Sequence, residues 1–173
     1  YSSDFSGNIR NSKIPASRGG VLRDLGCHAI DLTLWFLGDF QVDWVRCPAS
    51  KDSSIEDSVY FTVKESNGLV GDFSVSWCMK NYRLPEVGLL VNGSKGTLEV
   101  NDDKVELKLK DGKSFIWYRH DLNDSVSFWL GFPEYHREDL YFVESVMKDR
   151  RAEPSFSDAS KVDAIIDQVE KRA

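Results

Sequence analysis

No run of apolar residues in this chain approaches the ~20 needed to span a bilayer, and no charged-then-apolar leader opens it. It therefore reads as neither membrane-inserted nor exported. No basic stripe or cationic amphipathic face stands out from the interleaved charges, whose net value is −6, so nucleic acid and membrane are not expected partners. Cysteine is scarce as well. Cys27, Cys47 and Cys78 are odd in number, lack any Cys-x-x-Cys spacing, and each sits in an apolar stretch where a reduced thiol serves as a small hydrophobe. That pattern fits a reducing cytoplasm. Internal repeats and low-complexity tracts are absent too.

What is present is an ordinary globular composition, 41% hydrophobic and 29% charged over 173 residues, enough for one packed core or a core with an appendage. The chain opens on Tyr1, and residues 1–18 are rich in Ser, Asn, Gly and Arg with little periodicity, so they read as a polar lead-in from a preceding domain. From Val21 to Leu37 the apolar residues are too dense and too long for a strand. Gly38 supplies the stop, and the spacing predicts a largely buried helix from about Leu25 to Leu37.

The period then changes. Gln41 to Cys47, Ser58 to Lys64, Leu69 to Cys78, Val87 to Val91, Thr97 to Val100, Lys104 to Lys110 and Ser114 to Arg119 are short and rich in β-branched and aromatic residues. Asn67-Gly68 and Asp111-Gly112 are hairpin turns between such runs. Lys104 to Lys110 alternates charged and apolar residues, predicting one wet and one dry face. On Leu69 to Cys78 the face carrying Val70, Asp72, Ser74, Ser76 and Cys78 is only weakly polar, which suits an interface.

Two helices close the chain. One starts at Pro133 and runs to about Lys148 with Leu140, Phe142, Val143, Val146 and Met147 inward; the other carries Val162, Ile165, Ile166 and Val169, with Ser157 as N-cap. The expected fold is α+β: a largely antiparallel open sheet of about seven strands, helices packed on one face and the other face a subunit interface.

Chemistry concentrates on the first helix. At about 100° per residue, Asp24, His28, Asp31 and Trp35 fall within about 60° of one another, a narrow stripe on an otherwise apolar helix. A carboxylate desolvated without partners costs several kcal/mol, so these acids must be paired or face a wet cleft. An aspartate one turn from a histidine can fix the imidazole tautomer and favour its protonated form, as a general acid/base near neutral pH requires. The same spacing also serves a structural hydrogen-bonded pair, or a metal site completed by His120 or His136.

Read in order, Gly19-Gly20-Val21-Leu22-Arg23-Asp24-Leu25-Gly26-Cys27-His28-Ala29-Ile30-Asp31, followed by Trp35-Phe36-Leu37-Gly38, resembles the G-G-x-L-x-D-x-G-x-H-x-x-D…W-x-x-G signature of the Gfo/Idh/MocA oxidoreductases. Val91-Asn92-Gly93-Ser94-Lys95-Gly96-Thr97-Leu98 is similar to that family's G-x-x-G-T turn. Tyr135, Glu138, Phe142 and Pro154 resemble its closing segment. The resemblance spans Gly19 to Ala173 and implies a C-terminal substrate and oligomerisation domain, residues 19–173. An N-terminal Rossmann domain, binding NAD or NADP, would precede it.

By that resemblance His28 and Asp24 are the catalytic pair, with Asp31, Trp35 and Tyr135 as supporting or substrate-binding residues. Tyr118, Arg119, His120 and His136 are further candidates for substrate contact, as are Lys13 and Arg18 in the lead-in. The family's Glu-Lys-Pro segment, whose lysine completes the acid/base set, has no equivalent here, and no G-x-G-x-x-G follows a strand. Gly93 to Gly96 reads as a hairpin rather than a phosphate cradle. The implied activity is hydride transfer between a nicotinamide and a secondary alcohol of a sugar, polyol or similar small molecule, with the fragment alone inactive. The competing expectation is a non-catalytic ligand-binding or dimerisation module of the same fold. Expected partners are a small-molecule substrate, the chain's own Rossmann domain, and further copies joined through the sheet as a homodimer or tetramer.

Overall fold

Seven strands and three α-helices are ordered along residues 19–48, 55–80, 82, 85–122 and 133–173, the residues described by a computed structural model. The polar lead-in, with Lys13 and Arg18, lies outside them. The architecture is α+β and every strand pairing is antiparallel, as expected. The strands pair in two sets, of three and four. The chain divides into two compact units, Tyr1–Gly88 with Ser160–Ala173, and Leu89–Ala159.

In the first unit a wide π-helical turn, Leu22–Gly26, runs directly into helix α1, Cys27–Leu37. The helix thus begins at Leu22 rather than about Leu25. No capping side chain announces that start in the local sequence; Glu56 provides it from a distance. Its carbonyl accepts the Val21 N–H at 3.1 Å and its carboxylate the Leu22 N–H at 3.4 Å, satisfying two donors that a helix start leaves orphaned. Gly38 ends α1 with φ of 87°, its N–H donating to the Leu34 carbonyl.

Strands β1 (Gln41–Arg46), β2 (Ser58–Lys64) and β3 (Val70–Ser76) form the first sheet in that order, with a bulge between Val42 and Trp44. Val59, Phe61 and Val63 alternate onto its inner face, which Val75 and Trp77 extend. Against them pack Val21, Leu22, Leu25 and Ile30, together with Val162, Ile165, Ile166 and Val169 from helix α3, Phe156–Glu170. Each such side chain contributes about 1.5–3 kcal/mol on burial. Ser58 and Ser76, directly opposite each other, are buried but share a 2.8 Å hydrogen bond, so the polar end of this sheet costs little.

The expectation of a largely buried helix is corrected. Only one side of α1 enters the core; Trp35 is 76% exposed and Phe36 is exposed beside it. A helix apolar around its whole circumference offers more surface than one neighbouring layer covers.

The second unit is a meander, β4 (Leu89–Asn92), β5 (Gly96–Val100), β6 (Lys104–Leu109) and β7 (Ser114–Tyr118). Gly93 to Gly96 makes a hairpin, closed by the Gly93 N–H on the Gly96 carbonyl at 2.8 Å. The alternation of β6 is present, but its wet face is not simply wet. Glu106 is the most enclosed residue of the strand, held by Lys104 at 2.7 Å and Lys108 at 2.8 Å. The hydrogen bond from Lys104, then that from Lys108, keeps the Glu106 carboxyl below the usual carboxylate range.

Helix α2, Pro133–Met147, lies where its period predicts, yet Leu140, Phe142, Val143, Val146 and Met147, expected inward, are exposed. Ser145 is its buried residue, donating to the Tyr141 carbonyl. The cap of α3 also differs from expectation: Ser155, not Ser157, precedes the first turn. Asp158, at the third helical position, accepts both the Ser155 N–H and its hydroxyl at 2.7 Å.

Candidate active site

The stripe read from the sequence stands on a segment of the first unit anchored from several distant positions. Four consecutive residues are each tied to a distant one. Val21 and Leu22 donate to Glu56; Arg23 makes a two-pronged contact with Glu170 at 2.7 and 2.8 Å; and Asp24 accepts a hydrogen bond at Oδ2 from Trp77 Nε1 at 2.9 Å. Glu170 is also what raises the Arg23 guanidinium above its ordinary value. Gly20 completes the turn by accepting the Asp24 N–H at 3.1 Å.

The π turn alters the wheel on which the stripe was drawn. In a regular α-helix the four-residue step from Asp24 to His28 overshoots a full turn by about 40°. Here the Cys27 N–H bonds to the Leu22 carbonyl five residues back, so each residue in the turn advances less around the axis. By that geometry the angular overshoot between Asp24 and His28 is smaller than in a regular α-helix. Both are exposed, while Leu22, Leu25 and Ile30 face the core. Such a segment offers a carboxylate and an imidazole to a ligand from a rigid base.

Asp31, half-buried, continues the stripe one turn on, and Trp35 ends it. Trp35 is 76% exposed and so does not fill the core. Its ring lies 4.6 Å from that of Phe36. Tyr135, also exposed, belongs to helix α2 of the second unit and is no part of this stripe. In that unit Arg119 is paired with Glu134 at 2.9 Å, Tyr118 stacks on His120 at 5.5 Å, and His136 is exposed.

Two residues of the site were not found from the sequence, Trp77 and Glu56. They lie 53 and 34 residues from their partners. No spacing rule connects them. The cysteine nearest the stripe, Cys27, is packed against the core, and burial pushes its thiol above the ordinary value, which disfavours the thiolate. Cys47 behaves likewise. Cys78, expected among apolar neighbours, is exposed.

Among the described residues no group of three or more His, Cys, Asp or Glu side chains is arranged to hold a metal ion, and no helix is long and apolar enough to cross a membrane. A dinucleotide needs helix N-terminal donors for its pyrophosphate. The Leu22 N–H at the start of α1 faces the Glu56 carboxylate, and the Ser155 N–H before α3 faces that of Asp158.

A family model described as the GFO/IDH/MocA C-terminal domain matches residues 2–99. No curated protein matches the chain by sequence. Among solved structures it is similar to a levoglucosan dehydrogenase in complex with NADH and levoglucosan, with TM-score 0.80 and 18% identity, covering 100% of this chain and 55% of that one. It is also similar to the UDP-N-acetylglucosamine 3-dehydrogenase GnnA from Acidithiobacillus ferrooxidans, with TM-score 0.73 and 16% identity over 99% and 51% of the two chains. A third is KijD10, a 3-ketoreductase from Actinomadura kijaniata in complex with TDP-benzene and NADP, with TM-score 0.67 and 19% identity over 90% and 48%. The chain thus spans about half the length of these structures.

Proposed function

The chain belongs to the Gfo/Idh/MocA C-terminal domain family, and from that premise we propose that it is the substrate-binding half of an NAD(P)-dependent oxidoreductase acting on a secondary alcohol of a sugar, polyol or similar small molecule. The observation that carries this reading is the pair Asp24 and His28, both exposed and four residues apart on a helical segment whose Leu22, Leu25 and Ile30 are buried in the core. The fold neighbours solved with NADH and levoglucosan, or with NADP, support the substrate and cofactor classes.

His28 takes the hydroxyl proton of the substrate as the carbon beneath it gives up hydride and becomes a carbonyl; in reduction it returns the proton. Asp24 orients His28 or binds a neighbouring hydroxyl. Asp31 and Trp35 flank them. The nicotinamide, when bound, supplies the hydride acceptor or donor. We assign its dinucleotide mainly to an N-terminal Rossmann domain of the complete protein. The setting we assign is cytoplasmic.

In the complete protein, His28→Ala should lower kcat by about 10²–10⁴-fold with the affinity for NAD(P)H kept. Unchanged turnover would leave the non-catalytic ligand-binding module as the better reading. We assign the outer face of the first sheet, with Trp44 and Val70 exposed, to contact between copies in a homodimer or tetramer. A strictly monomeric mass by light scattering at high concentration would exclude that role.

A further inference from the structure

Trp77 follows β3, is 6% exposed, and has its backbone fixed by donating to the Asp57 carbonyl at 2.9 Å. Its indole N–H is therefore placed by a buried ring and a strand end rather than by a mobile side chain. That N–H meets Asp24 Oδ2 at 2.9 Å. The segment that holds the Trp77 backbone, Glu56 and Asp57, also holds the start of the π turn through Val21 and Leu22. One short stretch of chain thus sets both ends of the Trp77–Asp24 bond.

An exposed aspartate otherwise samples several rotamers, and a carboxylate that must orient an imidazole or a substrate hydroxyl loses activity with each wrong one. With Oδ2 held by a donor from the core, the carboxylate is restrained to the rotamers that keep that bond. We propose that Trp77 is the positioning residue of this site, acting on substrate through Asp24 alone. The proposal rests on the reading of Asp24 as a member of the catalytic pair.

The test is a double-mutant cycle in the complete protein with Trp77→Phe and Asp24→Asn, read as kcat and as KM for the cofactor. Trp77→Phe should lower kcat about tenfold and leave the cofactor KM unchanged. In the Asp24→Asn background it should cost nothing further, because the group it positions is already lost. Losses that multiply, or a Trp77→Phe enzyme as active as the parent, overturn the positioning role while the catalytic reading stands. An Asp24→Asn enzyme of full activity overturns both. If Trp77→Phe fails to fold, benzothienylalanine at position 77 keeps the ring shape and removes only the N–H. The same tenfold loss is expected there, and full activity overturns the role.

Discussion

The two units of this chain are built from similar material and are held differently. In the first, β2 alternates Val59, Phe61 and Val63 into a core with almost no exposure, and the Asp24 carboxylate is tied to that core by a hydrogen bond from Trp77, on a turn whose Val21 and Leu22 N–H groups donate to Glu56. In the second, all five residues of β7 are exposed, including Phe115 and Trp117, which stack on each other at 5.9 Å. There the most enclosed strand residue is a glutamate between two lysines. Dry packing fixes a side chain to within a rotamer, whereas ion pairs at a wet surface hold it only loosely. The stripe residues Asp24 and His28 belong to the first unit.

Substitutions can break or sharpen that contrast. The largest effect is expected from Phe61→Ala, which empties a site 1% exposed and removes the ring stacked on Phe73 at 4.4 Å. It should cost about 3–5 kcal/mol in urea unfolding; a cost under 1 kcal/mol would mean that the first core is as loosely held as the second sheet. Gly96→Ala should come next. A Cβ there would stand 2.2 Å from the Lys108 carbonyl of the paired strand, which cannot step aside as a side-chain tip would. A loss of about 1–3 kcal/mol, with Thr97 and Lys108 amide exchange accelerated, is expected.

The smallest effect is that of Glu106→Gln. The Glu106 carboxyl is lowered in the folded chain, so its contribution is present above the ordinary carboxylate range and is lost as pH falls through the lowered value. The gap between wild type and Glu106→Gln should be slight at pH 7, shrink further in high salt, and vanish in strong acid. A gap that survives acid would assign the effect to packing instead of charge.

Legibility from sequence followed the range of the interaction. The hairpins at Asn67-Gly68 and Asp111-Gly112 were readable because an Asn or Asp side chain accepts a backbone N–H two residues on, as Asn67 does for Leu69 and Asp111 for Lys113. The stripe was readable because a helix repeats its own geometry. The cap of α3 was misplaced by two residues because Ser155 and Ser157 look alike locally, and only the partner Asp158 distinguishes them. The inward assignment of α2 failed for a different reason. Periodicity tells which residues share a face, and nothing in it tells whether another layer covers that face.

The order of elements, the antiparallel pairing and the placing of Asp24 and His28 one turn apart follow from the sequence by itself, since each depends on contacts within a few residues. Only the tertiary structure decided that the helix opens as a π turn under Glu56, and that the Asp24 carboxylate rests on Trp77. Those bonds join positions separated by tens of residues, and their existence depends on where the intervening strands carry the chain, a property of packing that no local pattern encodes.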